Sequence, residues 1–261
     1  MSISILLLIF IYGVGTIQIM RKRQLFVPKK PFNLSRSKIE LFLSCPRCFY
    51  LDRRLGIGQV QGPAFTLNSA VDALLKNEFD IYRGNKEPHP LMIQYGIDGY
   101  PYAHENLDEW RNNFTGIRYT DPKTRLTIFG AIDDVWIDSN DELHVVDYKA
   151  TSTQAELTLD APYRDAYKRQ MEIYQWLLRN NNFPVSSVGY FVYANGKKNE
   201  DLFDGRLEFD VEILSYEGDD RWVDTAIKEA HACLSSDTLP IPHPACEWCA
   251  YRKETAQYET A

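Results

Sequence analysis

Residues Leu126 to Lys149 read LTIFGAIDDVWI, DSNDE and LHVVDYK, two runs with an apolar period of two on either side of a polar turn. That pattern predicts a β-hairpin. With Asp138 to Glu142 as the loop, Ile137 stands opposite Leu143, and counting back along both strands sets Asp133 opposite Asp147. Directly opposed residues of an antiparallel pair point to one face, with Cβ atoms about 4.5 to 5.5 Å apart. Lys149, two residues past Asp147, shares that face. Two carboxylates so close repel unless a cation lies between them, and an all-oxygen donor set suits Mg²⁺ or Mn²⁺. The plain alternative is a solvated hairpin face with one charge pair. Val145, on the same face and among apolar neighbours, argues that the charges emerge from a buried strand.

Upstream of the hairpin, Ser35 or Ser37 is placed to cap a helix carrying Ile39, Leu41, Phe42 and Leu43, with Ser37 and Glu40 at capping-box spacing. This helix runs into CPRCFYLDRRLG. Ala70, Val71, Leu74, Leu75 and Phe79 recur at helical spacing over Leu67 to Tyr82. On that helix Asp72 reads as an exposed acid, and Glu78 and Asp80 read as solvated acids. Residues 84 to 116 read as loops with one helix near Leu107 to Asn112. Downstream come a helix over Tyr163 to Arg179, strands over Val185 to Tyr193 and Arg206 to Ile213, a helix over Asp220 to Leu234, and a Pro-punctuated loop, LPIPHPACEWCAYRK. This order predicts an α/β (α+β) domain with a mixed central sheet flanked by helices. The expected organisation is a hydrophobic segment over 1 to 20, a basic linker over 21 to 34, and a single domain over 35 to 254 whose ends, 45 to 54 and 240 to 252, carry cysteine pairs.

The chain has 261 residues, 44% hydrophobic and 25% charged, which excludes a disordered tail, a collagen-like polymer and a small disulfide scaffold. A formal net charge of −7 argues against a protein that coats nucleic acid through bulk charge. Its distribution is uneven: through Arg54, ten basic residues face two acidic ones, a balance of +8, and the remainder carries −15. Ile3 to Met20 is just long enough to span a bilayer, and Arg21, Lys22 and Arg23 would then keep the following domain on the cytoplasmic side. Alternatively, Met20 is the true start of a cytoplasmic protein. Of five cysteines, Cys45 with Cys48 and Cys246 with Cys249 form two C-x-x-C pairs, and without an export signal such pairs read as metal ligands. Four thiolates suit Zn²⁺ or a [4Fe-4S] cluster, the alternative being two unliganded pairs. Cys233 reads as a small buried hydrophobe.

Gly130-Ala-Ile-Asp133, Asp147-Tyr148-Lys149 and Gln170-Met-Glu-Ile-Tyr174, with the flanks SRSKIELFLSCPRCFYL and PACEWCAYRK, resemble the PD-(D/E)XK nuclease superfamily in its RecB-like branch. That branch includes the CRISPR-associated RecB-like exonucleases and the nuclease domains of AddB-type helicase-nucleases. The resemblance runs from about Ser35 to Arg252 and implies a restriction-endonuclease-like core and a metal-dependent, exonuclease-like nuclease. Its substrate would be DNA, single-stranded or at duplex ends, in repair, recombination or defence. It implies that Asp133, Asp147 and the Tyr148 carbonyl hold Mg²⁺ or Mn²⁺, that Lys149 orients water and stabilises the scissile phosphate, and that Gln170 and Tyr174 stand at the edge of the site. Asp72 occupies the place where the branch commonly has a metal-binding His, and a carboxylate remains a competent ligand. The branch holds an iron-sulfur cluster between its ends. Cys45, Cys246 and Cys249 match that pattern, its last cysteine is missing, and Cys48 is the replacement ahead of His243. Arg47, Arg53 and Arg54, near this staple, would contact phosphates. A catalytically silent nucleic-acid-binding module and a zinc-stapled protein-interaction domain are the alternative readings.

Overall fold

The computed structural model describes residues 24 to 60, 62 to 63, 65 to 161 and 164 to 259. The hydrophobic segment 1 to 20 and the cluster Arg21 to Arg23 lie outside these. Among the described residues, no helix is long and apolar enough to cross a membrane.

Two mixed sheets share one core. A three-stranded sheet has the order β1 (Phe32–Ser35), β4 (Leu126–Gly130), β3 (Ile117–Thr120), and a five-stranded sheet the order β2 (Tyr100–Pro101), β5 (Asp134–Ile137), β6 (Leu143–Thr151), β7 (Val188–Gly196), β8 (Phe209–Glu217). The β1/β4 and β6/β7 pairs are parallel and the rest antiparallel. The helices are α1 (Arg36–Ser44), α2 (Pro46–Arg53), α3 (Thr66–Asn85), α4 (Pro90–Gln94), α5 (Leu107–Trp110), α6 (Asp165–Asn180), α7 (Val223–Ser235) and α8 (Glu247–Glu259). A mixed sheet flanked by helices is the expected class.

The hairpin register is the expected one, with Ile137 opposite Leu143 and Asp134 opposite Val146. The first strand, however, is not continuous. Residues 126 to 137 divide into β4 and β5, which belong to different sheets. The break has a local cause: the Ile132 N–H donates to the Trp110 carbonyl at 2.9 Å, and the Arg111 guanidinium donates to the Asp133 carbonyl at 2.9 Å. These bonds draw residues 131 to 133 out of the ladder and leave Asp133 at the mouth of β5.

Alternation along β6 sends Val145 to a core shared with Met171, Ile173 and Tyr174 of α6, and Val146 and Tyr148 to a core shared with Leu75 and Phe79 of α3. The sheet is thus covered on both faces, as the apolar run of β6 requires. Gly189 of β7 lets α6 settle closely, because a Cβ there would lie 2.4 Å from the Met171 sulfur.

Other expectations are corrected. The Ser37/Glu40 capping box does not form; Ser35 is the N-cap residue without a side-chain cap, and Glu40 takes two hydrogen bonds from Arg169, at 2.7 and 2.9 Å, linking α1 to α6. The region 84 to 116 contains α4 and β2 besides α5. The last strand is shifted to Phe209–Glu217 beyond a left-handed turn at Gly205. The C-terminal cysteine segment is the start of α8 rather than a loop. Phe26 is buried ahead of β1, its N–H donating to the Arg53 carbonyl at 2.9 Å.

Candidate active site

Asp133 stands just before β5 and Asp147 midway along β6, and the two carboxylates act on each other electrostatically. Asp147 is fully buried; Gln170 Nε2 donates to its Oδ1 at 2.6 Å, and the Lys149 ammonium pairs with its Oδ2. Burial pushes its carboxyl up to about 6, although Lys149 pulls the other way. Asp133 Oδ2 accepts the Tyr148 backbone N–H at 3.1 Å. Its Oδ1 accepts from Lys76 Nζ at 2.9 Å, and the same ammonium donates to Asp72 Oδ2 at 2.8 Å. Burial and the neighbouring Asp133 raise the Asp72 carboxyl above its usual range. A cleft of about 400 Å³ opens over Asp72, Lys76, Arg111, Asp133, Tyr148 and Lys149. Asp72 therefore lines the cleft, half-buried.

Tyr174 and Gln170, one helical turn apart on α6, stand behind this cleft, 3.4 Å between Nε2 and the phenol oxygen. Burial raises the Tyr174 phenol to about 12, with Arg36 of α1 acting in the opposite sense. The ring packs on the backbone of Gly130, where a Cβ would lie 2.5 Å from Tyr174 Cε1. Two of the short sequence motifs are thus in direct contact.

Beneath the cleft lies a charged network that the sequence did not disclose. Asp134, fully buried, points to the α3 side, where it accepts from Tyr148 Oη at 2.6 Å, from Arg111 at 3.3 Å and from Arg83. Arg111 also binds both carboxylate oxygens of Asp80, at 2.8 and 2.9 Å, so Asp80 is ion-paired rather than solvated. Glu78, more than half exposed, carries a hydrogen bond to His89 at 2.9 Å. Arg111 lies in a segment without periodicity, and nothing local marks it. Lys76 had a signal: it stands one turn beyond Asp72, the i, i+4 spacing of a helical ion pair.

The four paired cysteines converge although about 200 residues separate them. Cys45 and Cys48 lie at the start of α2, and Cys246 and Cys249 at the start of α8. The sulfurs are 3.6 Å apart for Cys48 with Cys246 and with Cys249, 3.8 Å for Cys45 with Cys249, and all lie within 4.8 Å of one another. Four thiolates around one ion at a Zn–S distance of about 2.3 Å sit at a tetrahedron edge of roughly 3.8 Å, so the donor set fits a single metal ion. Burial raises the Cys48 and Cys246 thiols, whereas at Cys45 the upward push of burial is outweighed by the backbone N–H groups of Cys48 and His243, which bring that thiol down to about 7. Arg252 donates to Cys249 Sγ at 3.2 Å. The His243 ring instead accepts the Ala245 N–H at 3.2 Å, and Cys233 stands apart, half-buried, with burial raising its thiol to about 11.

Near this staple, Arg47 donates to the Pro240 carbonyl at 2.8 Å, Arg53 stacks 5.0 Å from the Phe32 ring, and Arg54 pairs with Asp237 at 3.3 Å.

Two acids and a lysine of the central sheet thus stand in and behind a cleft walled by α3, an arrangement of oxygen donors and cations. The family model of the PD-(D/E)XK nuclease superfamily matches residues 99–253, and the chain belongs to that superfamily. No curated protein matches the chain. The solved structure described as "Crystal structure of SSO0001" is similar to it over 81% of each chain, with 16% identity and a TM-score of 0.39.

Proposed function

We propose that the protein is a metal-dependent nuclease of the RecB-like branch that hydrolyses phosphodiester bonds of DNA in an exonuclease-like manner, in repair, recombination or defence. Asp133 and Lys149 line one cleft and Asp147 lies buried behind it, paired with Lys149, and this grouping carries the reading. Asp133 and Asp147, with Asp72 and the Tyr148 carbonyl beside them, would hold Mg²⁺ or Mn²⁺; hard oxygen donors in a half-buried pocket fit such an ion. Held there, such an ion would supply a lowered pKa for attacking water and an offset to charge developing on the phosphate. Gln170 keeps Asp147 oriented through the 2.6 Å hydrogen bond. The Lys149 ammonium, 4.8 Å from the Tyr167 ring centroid, orients the attacking water and stabilises the phosphate oxygens. Arg111 fixes the Asp133 backbone from below.

Phosphate contact rests first on the cations of the cleft. Arg47, Arg53 and Arg54 would add to it from the staple, where each already has an intramolecular partner. The staple itself, on this reading, holds one Zn²⁺. A [4Fe-4S] cluster, which binds each thiolate to a different iron, is the alternative group for the same four cysteines, and the spacing of the sulfurs within 4.8 Å of one another supports the single ion ahead of it.

A catalytically silent nucleic-acid-binding module is the second reading, favoured by the Lys76 ammonium bound to two of the acids. DNA degradation with Mg²⁺ or Mn²⁺ separates the two. Single-stranded, duplex and end-blocked substrates should reveal dependence on an end. Asp147→Ala and Lys149→Ala should each lower the rate by at least about 10³-fold, the scale of losing a group that acts in the transition state. Wild-type rates in both variants would remove the assigned site.

A further inference from the structure

Lys76 has no role in the nuclease mechanism assigned to the other residues of the cleft, although it contacts two of the acids. Its Nζ lies 2.8 Å from Asp72 Oδ2 and 2.9 Å from Asp133 Oδ1, inside the cleft, and the side chain is only 17% exposed. The other oxygen of Asp133 is taken by the Tyr148 N–H at 3.1 Å. An ammonium has three donor hydrogens, so two carboxylates leave one for a further acceptor in the cleft.

The charge balance is closed. Asp72 and Asp133 line the cleft with Lys76 and Lys149, and behind it the buried Asp147 pairs with Lys149 and has Arg36, beyond Tyr174, as a second cation. Below them, Arg83 and Arg111 are matched by Asp80 and Asp134. The acids and cations at the cleft therefore cancel. One divalent cation plus a phosphodiester leaves a single excess positive charge, whereas two cations leave three in a half-buried site, where uncompensated charge is costly.

Resting on the nuclease reading, we infer that the cleft takes a single divalent cation and that the Lys76 ammonium does the electrostatic work of a second one. It bridges Asp72 to Asp133 and offers its third hydrogen to a non-bridging oxygen of the scissile phosphate. A compact ammonium suits that task because it binds phosphate as a point charge.

The test is calorimetric titration of the full chain, staple metal in place and without DNA, with Mn²⁺; Asp147→Ala supplies the baseline. The wild type should take up one equivalent that the Asp147→Ala protein lacks. Lys76→Met, with its fold checked by circular dichroism, should bind a second equivalent or bind the first about tenfold more tightly, the scale of removing one adjacent like charge. Lys76→Arg, which keeps the charge, should retain a single equivalent. Two equivalents in the wild type, both lost in Asp147→Ala, would overturn the role of Lys76 and leave the nuclease reading intact. Unchanged Mn²⁺ stoichiometry and affinity in folded Lys76→Met would do the same. Absence of any Asp147-dependent uptake in the wild type would overturn the nuclease reading together with the inference.

Discussion

At Gly130 the missing side chain is what brings α6 to the acids. The Tyr174 ring occupies the space that a Cβ would need, and one turn earlier on the same helix Gln170 holds Asp147. Gly130→Ala should therefore cost stability and misplace Gln170 as well. An overpacked contact of this kind costs about 1 to 3 kcal/mol. Urea unfolding should register the loss as a lower midpoint at unchanged m-value, with nuclease activity falling further than the folded fraction does. A variant as stable and active as the wild type would mean that the ring has room to move. At this scale the sequence was readable in part. The register of Asp134 to Ile137 against Leu143 to Val146 followed from the sequence and brings Asp133 near Asp147, although Asp133 itself stands just outside the ladder; Asp134, next to it with the same chemistry, has a different task because alternation turns it to the α3 face.

Among the elements, α3 is tied to the sheet through ionic contacts that its apolar stripe did not announce. Burial alone would raise the Asp80 carboxyl, yet the guanidinium groups of Arg111 and Arg83 hold it below the usual carboxylate range. A carboxylate depressed in the folded state stabilises it above the unfolded value near about 3.9, and that contribution is lost as pH falls through the folded value. Stability measured between about pH 5 and pH 3 should thus fall less steeply in Asp80→Asn than in the wild type. Identical slopes would show that these ion pairs do not couple to folding. The same scale explains the division of residues 126 to 137. Period-two alternation continues through both β4 and β5, and only hydrogen bonds from the Trp110 and Arg111 region break it. Those partners lie in a stretch with no periodic signal.

For the molecule as a whole, the staple joins the start of α2 to the start of α8 and so closes nearly the full domain. A crosslink across such a loop restricts the unfolded chain much as a disulfide does, at about 2 to 5 kcal/mol. Purified protein should be colourless and carry one equivalent of zinc by elemental analysis, and Cys249→Ser should lower Tm by about 5 to 15 °C. A brown protein absorbing near about 400 nm would identify a cluster instead. The net charge of −7 takes on a different meaning at this scale. The acids at the cleft are already held by lysines, so an acidic protein can still accept a phosphodiester where its cations gather.

Sequence by itself determined what depends on short range: the strand period, the hairpin register that opposes Asp133 to Asp147, the Lys149 face, the helical spacing of Gln170 and Tyr174, and the paired cysteines. Tertiary structure decided what depends on packing distant segments together. It placed Lys76 between Asp72 and Asp133, set Arg111 under the cleft, and brought four sulfurs to the spacing of a single ion. The reason is physical: periodicity and register repeat along the chain and leave a pattern, whereas a salt bridge or a metal site between distant elements is specified only by the shape into which both are packed.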